Sequence, residues 1–333
     1  MKISILGGGG FLGRKLASRL VRDRGLDGKP ITGLTLFDLT TPPQPDAEFP
    51  IAAIAGDLVD LPPAAIPPGT DIVFHLAAVV SAQAEADYEL GRRVNLRGTD
   101  AVVDACRRLV AAGDRPPRVV FTSSVASFSG GQDAVLDDDA RQVPANSYGA
   151  QKAAAELILA DASRRGFLDA VSIRLPTVIV RPGRPNRAAS SFFSGIVREP
   201  LLGLAADLPV PDAFAAWVCS PRRAVDWLLH AAAMETAQLG LDRSINPPGI
   251  STTIAHLLQA LDAVKPGASE RVRRVEDKEI AAIVGLWPPA FDTMRARTLG
   301  FAAHEPLVEV VRAFVEDDLE ARRNERGLPA PQR

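Results

Sequence analysis

Apolar positions in the first 176 residues fall into two alternating kinds of run. Short runs rich in Val, Ile, Leu and Phe at Lys2–Leu6, Ile31–Phe37, Ile51–Ala55, Ile72–Leu76, Arg118–Thr122 and Ala170–Arg174 predict buried strands. Between them, helical spacing predicts helices over Phe11–Arg22, Tyr88–Ala112 and Ser147–Arg165, and Pro-rich pieces such as Thr41–Pro45 mark loops. Strands separated by helix-length crossovers predict an α/β fold, a Rossmann-type doubly wound parallel sheet with helices on both faces.

After Pro176 the pattern becomes interrupted and rich in Pro and Arg ("VRPGRPN"), followed by short helical stretches. A smaller, partly interleaved C-terminal substrate lobe is expected from residues 177–215 and 249–323, beside a nucleotide-binding domain at 1–176. Elements at about 216–248 are expected to return to the sheet, with a helix over Ala224–Glu235 and a short strand over Arg243–Asn246. Helices are also expected at Thr252–Val264 and Leu307–Arg323, and residues 324–333 read as a loose tail.

Composition narrows this picture without changing it. A chain of 333 residues, 47% hydrophobic with a net charge of −2, suits two lobes around a cleft. Its longest apolar runs fall short of the roughly 20 residues that span a bilayer. The first strand begins at Lys2, which leaves no basic segment followed by an apolar leader. No membrane association and a cytoplasmic location are therefore expected. The two cysteines, Cys106 and Cys219, suggest no disulfide framework, and the four histidines lack ligand spacing, so no metal is expected. A near-neutral chain with no basic block also lacks the footprint of a nucleic-acid binder.

The candidate chemistry begins at "ILGGGGFLGRKL", where Gly7, Gly10 and Gly13 punctuate the passage from the first strand to the first helix. Such a turn lets backbone N–H groups approach a pyrophosphate at the helix N-terminus. A P-loop would need Gly-Lys-Ser/Thr where this chain has Gly13-Arg14-Lys15. Asp38 ends the next strand, 25 residues beyond Gly13, where a carboxylate accepts ribose hydroxyls and repels a 2′-phosphate; this favours NAD. Asp57 ends the third strand, where it could accept from an adenine amino group, and small residues follow His75 at the end of the fourth.

Farther on, Ser123 and Ser124 end a strand, and Tyr148 opens a helix with Lys152 one turn later. An i,i+4 pair shares a helix face, about 6 Å apart along the axis. Free tyrosine titrates near 10, and a neighbouring ammonium favours its phenolate, so Tyr148 could serve as a base while Ser124 holds a substrate oxygen. Alone, this pair would more often be a surface contact. Coupled to the strand-end serines and the glycine turn, it reads as a proton-transfer device.

Together, Gly7-x-x-Gly10-x-x-Gly13, Asp57, Leu76-Ala-Ala78, Asn95-x-x-Gly-Thr99, Thr122-Ser-Ser124 and Tyr148-x-x-x-Lys152 resemble the extended short-chain dehydrogenases/reductases, which include nucleotide-sugar epimerases and dehydratases. The resemblance implies Tyr148 as acid/base, Lys152 as ribose ligand and tuner of the tyrosine, Ser124 as substrate orienter and Asn95 as support for the proton relay. Asn95 reads equally well as a structural residue inside a helix. Cofactor contacts are expected at Gly7, Gly10, Phe11, Leu12, Gly13, Asp38, Asp57, Leu58, Leu76, Ala77, Ala78, Asn95, Tyr148, Lys152 and Pro176. One departure is Ser127-Phe128-Ser129-Gly130, where sugar-nucleotide members usually carry Tyr-Gly.

A narrower resemblance runs through "EADYELGRRVNLRGT", "RLPTVIVRPGRPNRAASSF", "VREPLLG" and "IAAIVGLWPPAFDTMRARTLGF", and it implies an NAD-dependent member of the family acting in carbohydrate metabolism on a four-carbon sugar acid. An acid substrate needs a counter-charge, for which Arg184 is the first candidate with Arg187, and Arg174, Arg181 and Arg222 stand behind them. Ser81, Ser123, Ser124, Tyr148, Thr177, Asn186 and Ser191 are the expected hydroxyl and amide partners. A nucleotide-sugar epimerase with tightly held NAD and a non-catalytic NAD sensor are the alternatives. The family also implies a homodimer formed through the helices predicted at Tyr88–Ala112 and Ser147–Arg165.

Overall fold

The computed structural model describes residues 1–131, 135–183 and 190–328. Its first half runs β1 (Lys2–Leu6), α1 (Phe11–Asp23), a hairpin of β2 (Gly25–Leu26) and β3 (Lys29–Pro30), β4 (Gly33–Asp38), β5 (Ile51–Ala55) and β6 (Ile72–His75). Then come α2 (Ser81–Ala86), α3 (Tyr88–Arg92), α4 (Gly98–Ala111), β7 (Arg118–Ser124), α5 (Ser147–Arg164) and β8 (Asp169–Leu175). The second half contributes β9 (Thr177–Val178), α6 (Ser191–Leu201), β10 (Ala206–Leu208), β11 (Ala215–Cys219), α7 (Pro221–Ala233), β12 (Ser244–Ile245) and β13 (Ile250–Thr253). It ends with α8 (Ile254–Val264), β14 (Val272–Arg274), α9 (Lys278–Val284), α10 (Met294–Thr298), α11 (Leu307–Asp317) and α12 (Leu319–Glu325).

Seven strands form one sheet in the order β12-β8-β7-β6-β1-β4-β5, and every adjacent pair is parallel. Side chains alternate across its plane, as the pleat requires. Ile3, Ile5 and Val120 join an apolar layer with Leu16, Leu20, Trp227 and Leu228 of α1 and α7, whereas Leu6, Val119 and Phe121 join another with Val102, Leu109, Ala155 and Leu159 of α4 and α5. The strand order reverses between β1 and β6, so a crevice opens at their carboxyl ends.

A third apolar cluster fills the smaller lobe, where Phe193, Ile196 and Val197 of α6 meet Leu257, Leu258, Val310 and Phe314 of α8 and α11. Beside it stands a three-stranded sheet in the order β13-β11-β9. β11 therefore departs from the expected return at 216: it pairs in parallel with β9 and antiparallel with β13. The return to the large sheet begins with α7, which Ser220 caps by accepting from the Arg223 N–H and which Pro221 opens, a proline whose missing N–H costs nothing there.

Two expected helices are broken. Between α3 and α4 the chain widens into a π-helical turn at Arg93–Arg97, and Asp318 separates α11 from α12. Because α12 continues to Glu325, the expected tail at 324–333 begins later than the sequence suggests, and its last five residues lie outside the described part.

Candidate active site

The glycine turn after β1 is shaped by close approaches. Gly7 has φ +91°, and a Cβ there would lie 2.7 Å from the Ala77 nitrogen; a Cβ on Gly13 would lie 2.1 Å from the Gly7 carbonyl oxygen. Both positions exclude side chains, by backbone conformation at the first and by space at the second. Gly10 precedes α1 without a side-chain cap, and the first turn of that helix carries no acid. Its unsatisfied N–H groups and positive end thus remain open to an anion. Asp38 lies beside the turn, accepting from the Gly9 N–H at 2.9 Å and the Leu39 N–H at 2.7 Å.

A cleft of about 350 Å³ opens on Gly7, Gly10, Phe11, Leu12 and Gly13, and continues past Leu76, Ala78 and Ser81 to Ser124, Tyr148, Lys152, Pro176 and Thr177. Ala77 packs beneath it against Gly7, and Leu58 is buried in the core behind. Asp57 is outside the lining. Its carboxylate accepts from the Val59 N–H at 3.0 Å and from Arg93 at 2.6 Å, and these bonds, the backbone one foremost, hold it below the usual carboxylate range.

The proton-transfer group is positioned by α5. Asn146 caps this helix by accepting from the Gly149 N–H at 2.7 Å. A Cβ on Gly149 would lie 2.2 Å from the Ala126 carbonyl oxygen, so the first turn of α5 presses on the chain just beyond Ser124. Tyr148 consequently stands beside Ser124, whose side chain favours its ionised form. Lys152 is 2% exposed; it donates to the Thr122 carbonyl at 2.7 Å and lies 4.4 Å from the Phe121 ring and 5.7 Å from the Tyr148 ring.

The charge states differ from the sequence expectation. Burial pushes the Tyr148 phenol up to about 12, against the pull of Ser124 and of the Arg181 charge. Burial also lowers the Lys152 ammonium to about 7, with Glu156 pulling the other way. The expected lowering of the tyrosine by its neighbouring lysine is therefore absent in the chain alone, because both groups lose water.

Several predicted residues serve other partners. The Asn95 side chain accepts from the Val79 N–H at 2.9 Å and donates to the Val79 carbonyl at 3.0 Å and to Gln151 at 2.7 Å. It ties the loop after β6 to α5 and does not line the cleft. Ser123 lines the cleft beside Ser124, and its hydroxyl donates to buried Glu156. Arg174 is committed to the same Glu156 at 2.8 Å, and Arg222 pairs with Glu316 and Asp317 on the exterior. Arg184, Arg187 and Asn186 lie outside the described residues. Ser191 opens α6 without joining the lining, whereas its neighbour Ser190 does.

Sequence reasoning placed Arg181 behind Arg184 and Arg187 and passed over Ser190 and Trp287; Arg181, Ser190 and Trp287 all line the cleft. Trp287 follows α9 and lines the cleft from the smaller lobe.

Comparisons with known proteins agree with this geometry. The model of the NAD dependent epimerase/dehydratase family matches residues 3–213. D-erythronate dehydrogenase from Cupriavidus necator is 47% identical over 327 residues, covering 95% of this chain and 98% of that relative. D-erythronate dehydrogenase from Haemophilus influenzae is 37% identical over 328 residues, covering 96% and 100%. A crystal structure described as a nucleoside-diphosphate-sugar epimerase from Agrobacterium tumefaciens has a TM-score of 0.91 and 43% identity, covering 96% of this chain and 95% of that one. L-threonine 3-dehydrogenase from Trypanosoma brucei shares the fold at a TM-score of 0.81 and 20% identity, covering 99% of both chains.

Proposed function

The chain belongs to the NAD dependent epimerase/dehydratase family, and we propose that within it the protein oxidises the C2 hydroxyl of D-erythronate to the 2-keto acid. The observation that carries this reading is a single cleft lined at one end by the glycine turn and at the other by Ser124, Tyr148 and Lys152. Likeness along nearly the whole chain to two D-erythronate dehydrogenases supports the substrate.

In this reading Gly7, Gly10 and the first turn of α1 hold the pyrophosphate of NAD, and Asp38 takes the adenosine ribose hydroxyls. Bound NAD supplies a hydride acceptor and a positive ring. Ser124 donates to the C2 oxygen, and Tyr148, as phenolate, removes the hydroxyl proton while the C2–H bond breaks and its electron pair leaves as hydride. The C2–O single bond becomes a carbonyl, and Tyr148 afterwards returns its proton to solvent. Lys152, anchored on Thr122, balances the phenolate charge. Asn95 acts as a positioning residue, since it fixes Val79 and the α5 residue Gln151. Residues 1–176 bind the cofactor and the lobe beyond selects the acid. The enzyme works in the cytoplasm as a homodimer joined through α4 and α5.

The 43% identical structure described as an epimerase favours a second reading, in which NAD stays bound and no net reduction occurs. Mixing the protein with NAD and D-erythronate separates the two. Steady accumulation of NADH is expected, with none from UDP- or GDP-sugars. Conversion of a nucleotide sugar without NADH, together with inertness toward four-carbon acids, sinks the dehydrogenase reading.

A further inference from the structure

Withdrawn arginines in this fold come with acids. Arg174 pairs with Glu156, Arg198 with Glu199, and both Arg118 and Arg243 with Asp169. Arg181 is the exception: among the described residues no carboxylate lies within ion-pair distance of it. Its Nη2 donates to the Ser190 hydroxyl at 3.0 Å, and Arg181 lines the cleft. The backbone around it is fixed, because the Arg181 N–H donates to Ser194 Oγ at 3.0 Å and its carbonyl accepts from Arg198 Nη1 at 2.7 Å.

A guanidinium taken from water without a counter-ion is costly, and a second cation nearby adds to that cost. Burial and the Arg198 charge both disfavour the protonated form of Arg181, and Tyr148 favours it. Among the described residues none supplies the balancing negative charge, and the cleft that holds Ser124 and Tyr148 is open to one from a ligand.

We infer that Arg181 is the residue that binds the substrate carboxylate, and that through it the cleft selects 2-hydroxy acids over neutral polyols and amides. This rests on the sugar-acid reading above. C1 of such an acid is bonded directly to C2, so a planar fork beside Tyr148 holds the carboxylate while the C2 hydroxyl meets Ser124 and Tyr148. Ser190 steadies the guanidinium, and Arg198 steadies the backbone that carries it.

The test compares D-erythronate with its neutral amide in wild type, Arg181→Met and Arg181→Lys, with NAD affinity measured by fluorescence quenching as the check on folding. Wild type is expected to favour the acid by roughly 100-fold or more in kcat/KM, because a site built for a charged group rejects the analogue lacking it. In Arg181→Met that preference is expected to fall tenfold or more with NAD affinity kept, and Arg181→Lys is expected to retain part of it. A preference that stays within about threefold of wild type in Arg181→Met, or in Arg181→Lys should the first variant fail to bind NAD, overturns the assignment and moves the carboxylate to another residue. If wild type oxidises no sugar acid at all, the activity reading itself fails and takes this assignment with it.

Discussion

Tyr148 and Lys152 lose water together, and the ammonium stands 5.7 Å from the phenol ring. With the lysine lowered to about 7 and the phenol raised to about 12, the pair holds two protons below about 7 and one proton between the two values. In that middle range a neutral pair and a phenolate–ammonium pair contain the same number of protons, and the second is the reactive form. Loss of the first proton is thus enough to reach the base. The oxidation rate, as kcat/KM for D-erythronate, is expected to rise with pH through about 7 and then level off, well below the value of free tyrosine near 10. Lys152→Met removes the group that loses its proton at about 7, so the rise should move toward the tyrosine's own high value and the rate at neutral pH should fall by roughly 10²–10³-fold. A pH–rate series on both proteins checks this, and an unmoved rise removes Lys152 from the role of tuner. Ser124, Tyr148 and Lys152 were legible in the sequence because a strand end and an i,i+4 spacing are local features. Arg181 stood in the sequence only as one of several arginines, because its place in the cleft, with no carboxylate paired to it among the described residues, appears only when its neighbours are in place.

Among the elements, α1 and α5 matter most, and both are set by glycines that allow close approach. Gly13→Ala would drive a methyl against the Gly7 carbonyl oxygen, where a Cβ lies at 2.1 Å, whereas a Cβ on Gly10 comes no nearer than 3.2 Å to that same atom. Gly13→Ala is therefore expected to cost about 1–3 kcal/mol of stability as well as NAD affinity. Gly10→Ala should weaken NAD binding by crowding the cleft while leaving the melting temperature nearly unchanged. Thermal unfolding and NAD titration of both variants check the contrast; equal stability losses contradict it. The break in the helix predicted over Tyr88–Ala112 is a tertiary effect, because the widened turn at Arg93–Arg97 carries Asn95, whose amide is consumed by Val79 and Gln151. Periodicity read straight through it. The small sheet was equally hidden: β11 joins β9 and β13, so residues such as Val218 meet Thr177 and Ile250 across long stretches of intervening chain.

For the molecule as a whole, strand order does the positioning. The reversal between β1 and β6 opens the crevice where the glycine turn, the Leu76–Ala78 segment and the ends of β7 and β8 converge, and the smaller lobe closes it with Arg181, Ser190 and Trp287. The nucleotide half was legible from its strands and turn because its apolar runs are continuous and its motifs sit at strand ends. The second half was less so, since its texture is broken by prolines and its walls come from distant segments. The measurement that tests the account most directly is the rate of NADH formation from D-erythronate by Tyr148→Phe beside wild type, with the NAD dissociation constant of each determined in parallel. The account predicts a rate lower by roughly 10³-fold or more at an unchanged NAD dissociation constant. A Tyr148→Phe protein whose rate stays within tenfold of wild type would contradict it.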